Sequence, residues 1–396
     1  MLASHSPAGE QGCYSPAHVR MVRHMSLAHR MRKARSLVTS GRRVALALCG
    51  ALLISALLTA CSGSDSGSAA NDVPRVGLMH VGTDHVPPSF PALATELREK
   101  FGWDVPEANV ARCADAKKIL KSCDIRGKNV ELEWRNLEPF EADTQASVFV
   151  RQGVDVIVAF EDASIAAAQK ATAGMPHPTP IVFLHPSDPV RQGLTDSLSR
   201  PDRNLTGVFG ARDVVAKQLE RYQLLVPKLR RVLTLVDPTD TKTTPVLLAQ
   251  YKAAAARLQR PLQLEIRNAT TDKDLERVFR SLKPGEVDGA FLLSPSLRLN
   301  HSAETIRLAR KAHLPVQAHR KEWVEQGALF SYGTDLAPVG RAGARYVDSL
   351  LRGMTPADLP VQEIPTVDFA INLKTANRLG IKVPQGMIIR ADEVYR

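Results

Sequence analysis

Three histidines stand at the ends of short apolar runs, His80, His185 and His319, and His85 follows the first closely. Grouped imidazoles suit zinc, copper or nickel, and nearby carboxylates such as Glu161, Asp162 and Asp188 have the chemistry for general acid or base work. The spacing supports neither role. No two histidines are four residues apart, and Gly-X-Ser-X-Gly, His-Glu-X-X-His and Gly-X-X-X-X-Gly-Lys are all absent. The nucleophile elbow, the zinc-protease helix and the phosphate loop therefore have no counterpart. What remains is recognition. Ser164, Ser187 and Ser294 carry hydroxyls that can donate to a carboxylate, Asp188 or Asp237 can accept from an amine, and Tyr332 can stack or offer its hydroxyl. The expectation is a protein that binds a small molecule and catalyses nothing, with no cofactor and no metal.

These residues meet only if the strands carrying them end side by side. From Pro74 onward, β-branched apolar runs alternate with amphipathic helical stretches, the pattern of βαβ units around a mostly parallel sheet. Strands are expected at 75–81, 130–136, 154–160, 180–185 and 205–209, with helices at 89–101, 143–152 and 163–173 between them. Val154 to Ala159, broken only by Asp155, and Ile181 to Leu184 are apolar runs, as in strands buried on both faces. The same grammar restarts after a helix at 214–225, with strands at 231–236, 262–267, 289–293, 315–318 and 328–331. Thr244-Pro245 marks a helix start. The fold class is α/β, with two open, mostly parallel sheets in tandem, and ligands of such sheets bind beyond the carboxyl ends of the strands. The candidate site is accordingly His80, Val81 and Gly82; Asp162, Ala163 and Ser164; His185, Ser187 and Asp188; Asp237 and Thr241; Ser294; His319; and Tyr332. Asp162-Ala163-Ser164 opens a helix, so its free N–H groups can hold an anion or be capped by Asp162 itself.

A chain of 396 residues suggests two domains. Its net charge of +11 suggests nucleic acid until the charges are located: residues 1–60 hold eight Lys or Arg against Glu10 alone and carry +7 of it. No basic-aromatic stripe remains in the rest. The basic start runs into an apolar stretch, Val44 to Leu58, short for a membrane span and suited to a signal peptide. It ends in Leu58-Thr59-Ala60-Cys61, which resembles the lipobox of bacterial lipoproteins, and this implies lipidation of Cys61. The Ser/Gly-rich segment that follows reads as a tether, 61–73. Of the remaining cysteines, Cys13 and Cys49 fall in the leader, and Cys113 with Cys123 form an even pair in an exported chain, for which a disulfide is expected. Zinc is the weaker alternative, because there is no Cys-X-X-Cys.

Several segments, in order, resemble the ABC-transporter substrate-binding lipoprotein family that includes tryptophan- and phenylalanine-binding proteins. They are Gly127 to Val130, Val154 to Ala159, Pro180 to Phe183, Asp188-Pro189-Val190 with Gly193-Leu194, and Ser199-Arg200-Pro201 with Asn204 to Gly207. Ser331 to Leu336, Ile371 to Ala376 and Arg390 to Val394 complete the set. The resemblance implies a type I periplasmic-binding fold with three crossovers, near 207–213, 334–336 and 352–358. The first lobe would be 74–206 plus 336–352 and the second 207–335 plus 353–396. It further implies a monomeric, exported, membrane-anchored lipoprotein that closes on a small solute, an amino acid or small carboxylate, and delivers it to an ABC permease with its ATPase. A sensory module feeding a membrane signalling protein, or a metal or metal-chelate binder built on the histidines, are the alternatives. Two departures from the pattern stand out. Trp103 to Arg126 is an insertion, expected as a surface flap or partner contact, and the three histidines occupy positions where amino-acid binders are expected to carry small or aromatic residues.

Overall fold

The computed structural model describes residues 73–396 except 83–84, 116–117, 187, 202 and 213. The leader, Cys61, the tether and Ser187 lie outside the described residues. Among those described, no helix is long and apolar enough to cross a membrane.

In the first lobe, β1 (Arg75–Val81) leads through α1 (Ser89–Phe101), α2 (Glu107–Cys113) and β2 (Ser122–Arg126) to β3 (Glu131–Leu137). There follow α3 (Ala142–Arg151), β4 (Val156–Phe160), α4 (Glu161–Thr172), β5 (Ile181–Leu184) and β6 (Leu205–Gly210). The second lobe begins with α5 (Val214–Leu225), β7 (Arg231–Val236), α6 (Thr243–Arg257), β8 (Gln263–Asn268), α7 (Asp272–Ser281) and β9 (Gly289–Leu292). It continues with α8 (Pro295–Asn300), α9 (Ser302–Lys311), β10 (Val316–Ala318), α10 (Lys321–Glu325) and β11 (Phe330–Thr334). Then α11 (Leu336–Leu351) returns to pack on α1, and β12 (Gln362–Ile364) on β6. The chain ends in the second lobe with β13 (Val367–Asn372), α12 (Leu373–Arg378), α13 (Gln385–Arg390) and β14 (Glu393–Tyr395).

Among the described residues each sheet has seven strands, in the orders β12-β6-β5-β4-β1-β3-β2 and β14-β13-β11-β10-β9-β7-β8. The parallel heart is the same in both: the second strand, then the first, third, fourth and fifth. In that order the switch points fall between β1 and β4 and between β7 and β9, where adjacent strands send their connections to opposite faces and open a crevice. Alternate residues of one strand serve opposite cores, as period-two geometry requires. Val76 and Leu78 pack with α1 and α11, whereas Met79 and Val81 pack with α3 and α4. The second sheet is likewise apolar on both faces. Helix α11 lies close on α1 because Gly340 has no side chain there; a methyl group would fall 2.1 Å from the Ser89 carbonyl oxygen.

Three expectations are corrected. Residues 103–126 are no flap: β2 pairs antiparallel with β3 at the sheet edge, and its alternate residues Cys123 and Ile125 enter the first core with Val105, Val110 and Cys113. The final crossover follows β12 rather than preceding it, because β12 completes the first sheet, so 362–364 belong to the first lobe. Helix α6 starts at Thr243, one residue ahead of the Thr-Pro signal, and its first N–H groups are bound by Asp240, which accepts from Thr243 N at 2.8 Å and Thr244 N at 3.0 Å.

Cys113 and Cys123 form a disulfide that ties α2 to β2. It closes a loop with a sequence separation of 10, for which chain entropy gives about 3 kcal/mol. The Cys113→Ser/Cys123→Ser double variant is expected to lose about that much unfolding free energy in urea titration. An unchanged midpoint would mean that the buried contacts of Val110 and Ile125 hold the segment without the crosslink.

Candidate functional site

At the first switch point, β4 passes into α4 without a loop, and Glu161 takes a positive φ of 68° as the helix begins. His185, just past β5, takes 43°. Such conformations cost a non-glycine residue on the order of 1–3 kcal/mol each and persist where the surroundings impose them. Here the two strained residues face one another, with His185 Nδ1 2.9 Å from Glu161 Oε1 and His185 Nε2 2.9 Å from Ser89 Oγ. The second lobe supplies the cation. Arg320, two residues past β10, donates through Nη2 to Glu161 Oε1 and through Nη1 to His85 Nε2. The pair is buried, with side chains 6% and 14% exposed, and it joins one lobe to the other. His85 against the Trp323 ring, at 5.8 Å, adds an apolar contact across the same seam.

Charge and burial fix the protonation states. Burial acts to raise the Glu161 carboxyl, but His185 and the Arg320 guanidinium beside it hold it far below the usual carboxylate range. Burial lowers His80 to about 4, although Glu161 and the bond to Asn136 act the other way. Its Nδ1 lies 2.9 Å from Asn136 Oδ1, and its ring stacks on Trp134. Burial, then the Arg320 charge, push His85 well below 6.5. His319 is lowered by burial and then by Arg298 and Arg320, and its ring sits 4.0 Å from that of Trp323. The histidines are thus engaged with Asn136, Glu161, Ser89 and Arg320, and among the described residues no group of three or more His, Cys, Asp or Glu is placed to hold a metal ion.

Beside this network lies a cavity of about 150 Å³, room for several water-sized positions. The first lobe contributes Glu161, Asp162, His185 and Pro186. The segments where the chain crosses contribute Gly210, Ala211, Arg212, Gly333, Thr334 and Leu336. The second lobe contributes Val214, Val215, Gln218, Leu247, Gln250, Tyr251, Pro295, Arg298, Leu299, His319 and Arg320. The lining combines charged groups with an apolar wall, the usual make-up of a small-molecule site.

Of the residues expected from the sequence, Asp162, His185 and His319 reach this cavity. His80 and Val81 are buried beneath it, and Gly82 packs against His80 and Leu299. Ala163 is exposed, and Ser164 is fully buried with its hydroxyl donating back to the Phe160 carbonyl. Helix α4 begins at Glu161, so Asp162 is inside the first turn and is not its cap. Asp188 accepts from Val190 N and Arg191 N, both at 3.1 Å, in a turn. Asp237 accepts from Thr239 and Ser296, while Ser294 accepts from Asp237 N and Thr244; these groups organise the second switch point from within. Thr241 is exposed. The Tyr332 ring is buried in the second core, packed under Arg221 and against Phe369. The sequence reading missed Arg298, Arg320, Gln218 and Tyr251. Arg320 is one residue beyond His319 and Arg298 one helical turn beyond Ser294, so a wider window at those strand ends finds both; Gln218 and Tyr251 sit within helices and carry no such signal.

Residues 109–395 match the model of a family described as ABC transporter substrate binding protein. A tyrosine-binding protein of Clostridioides difficile (strain R20291) is 22% identical over 352 residues, which span 87% of this chain and 94% of that one. Among solved structures, a conserved domain protein from Vibrio cholerae matches with a TM-score of 0.66 at 24% identity, covering 81% of this chain and 99% of its own. An ABC domain in complex with L-Trp from Streptococcus pneumonia matches with 0.64 at 19% identity over the same shares. At these identities the structural likeness shows the fold.

Two outcomes follow from the network. A neutral histidine whose folded pKa is depressed stabilises fully above its unfolded value and loses that contribution as pH falls, because the unfolded chain takes up the proton first. For His80 the window runs from 6.5 down to about 4, at about 1.4 kcal/mol per pH unit. The depressed Glu161 carboxyl adds a loss in the same direction below about 4.5. Unfolding free energy is therefore expected to fall steadily from pH 7 to pH 4, less steeply in His80→Gln; a flat profile in the wild type would contradict the buried neutral imidazoles. Separately, Glu161→Gln leaves Arg320 buried without its counter-charge and is expected to cost on the order of 3 kcal/mol. The double variant Glu161→Gln/Arg320→Met should recover much of that loss in a double-mutant cycle, whereas strict additivity would show that the two groups do not interact.

Proposed function

Because the chain belongs to the ABC transporter substrate-binding protein family, we propose that it is the lipid-anchored receptor of an uptake system, holding an amino acid or small carboxylate between its two lobes and presenting it to a permease. Membership makes it a solute-binding protein rather than an enzyme. The observation that carries the finer reading is the cavity itself, lined from both lobes and from the connecting segments, so that one ligand touches everything that must move when the cleft closes. A ligand bridging both lobes stabilises the closed arrangement by its differential contacts there. The amino-acid class is supported by the tyrosine-binding relative and by the L-Trp complex, and by a lining that pairs charge with apolar surface. Anchoring is supported by the Leu58-Thr59-Ala60-Cys61 sequence and the Ser/Gly tether that follows it.

A thermal-shift screen of the full chain against amino acids, small carboxylates, sugars, nucleobases and divalent metals is expected to show stabilisation by an amino acid or carboxylate, since a ligand that binds only the folded state raises the melting point by mass action. A shift with sugars or metals alone would overturn the class. Cys61→Ser is expected to move the protein from the membrane fraction to the soluble fraction of the producing cell; retention at the membrane would reject the anchor.

A further inference from the structure

Three guanidinium groups line the cavity, and two are neutralised by carboxylates of the first lobe. Arg320 is paired with Glu161, and Arg212 is paired with Glu363 of β12 at 2.6 Å. Arg298 is different: no carboxylate lies within ion-pair distance of it among the described residues. Its position is nevertheless fixed. Its Nε donates to the Leu292 carbonyl at 3.0 Å, and the guanidinium stands near enough to the Tyr251 hydroxyl to oppose the upward push of burial on that group. That hydroxyl donates to Gln218 Oε1 at 2.6 Å, and Gln218 Nε2 donates to the Tyr332 carbonyl at 2.6 Å. A partly buried cation held in place and lacking a counter-ion is costly to maintain, and its remaining N–H groups have the fork geometry that matches a carboxylate. Beside it Val214, Val215, Leu247 and Leu299 form an apolar wall.

We propose that Arg298 selects the cargo: it takes the carboxylate of the ligand while the wall of Val214, Val215, Leu247 and Leu299 takes an apolar arm of the same molecule. The inference rests on the solute-binding reading and sharpens it. The cargo is a carboxylate with an apolar side, and Arg298, rather than the already paired Arg320, is the specificity-determining residue. The Tyr251-Gln218-Tyr332 chain holds the Tyr251 hydroxyl in place beside it. A site built to bond one polar group rejects the analogue lacking that group, because its own groups are then left unsatisfied.

The test uses full-chain protein and matched pairs of probes measured by calorimetry: L-tyrosine with tyramine, L-tryptophan with tryptamine, L-phenylalanine with phenethylamine, L-leucine with isoamylamine, and 3-phenylpropionate as a carboxylate without an ammonium group. At least one carboxylate is expected to bind, with its amine partner weaker by on the order of 100-fold or more. Arg298→Gln should weaken the acid by a similar factor and bring the pair within several-fold, and Arg298→Lys should not restore it. Tyr251→Phe, which removes the hydroxyl beside the guanidinium and the bond to Gln218, should cost the acid about 10-fold and the amine less, a readout that holds even where Arg298→Gln fails to fold. Equal affinity for acid and amine in the wild type, or full affinity in a folded Arg298→Gln protein, overturns the role of Arg298 while leaving solute binding intact. Binding of sugars or nucleobases in place of every carboxylate overturns the cargo class. Silence across carboxylates, amines, sugars and nucleobases together counts against both readings.

Discussion

An ionised carboxylate cannot sit in an apolar floor without a cation beside it, and in this protein the cation comes from the opposite lobe. Glu161 stands where β4 turns directly into α4, in a strained backbone conformation, and Arg320 reaches it from the end of β10. Much of the surrounding arrangement depends on that contact. The Arg320 charge helps to keep His85 neutral, His85 packs on Trp323, and Trp323 packs on His319. The two lobes are joined by this pair beside the cavity.

The pair also divides the charges of the cleft. Arg320 is engaged by Glu161, and Arg212 by Glu363. Under the proposed function, an opening motion that separated Glu161 from Arg320 would leave both charges poorly solvated, so the pair would favour the arrangement in which the lobes meet. The same arrangement accounts for the histidines. Each has a neighbour that engages a ring nitrogen or holds the ring neutral, and their rings fill the space beneath the ion pair.

Much of the architecture was legible in the sequence, because parallel strands buried on both faces announce themselves as apolar runs; 156–160 and 181–184 are examples. The returning strands were harder. Gln362–Ile364 is three residues long and only partly buried, so neither its existence nor its lobe has a local signal, and its pairing with β6 depends on where α11 deposits the chain. The insertion was misjudged because the alternation of Cys123 and Ile125 with polar residues spans only five positions. At the site, the strand-end rule found His185, His319 and Asp162 but favoured hydroxyls and carboxylates such as Ser164, Ser294 and Asp237, which the fold uses internally to close turns and helix starts. Arg298 and Tyr251 are set by helix packing across the second lobe, and Arg320 acquires its partner only when two lobes meet; none of these relations is written in local spacing.

The most direct test of the account is hydrogen exchange, read by mass spectrometry, on the full chain with and without saturating L-tyrosine or L-tryptophan. A ligand held between the lobes is expected to protect 161–164 in the first lobe together with 295–299 and 319–320 in the second. Protection confined to one lobe, or centred on a surface away from the cleft such as 281–286, would contradict it.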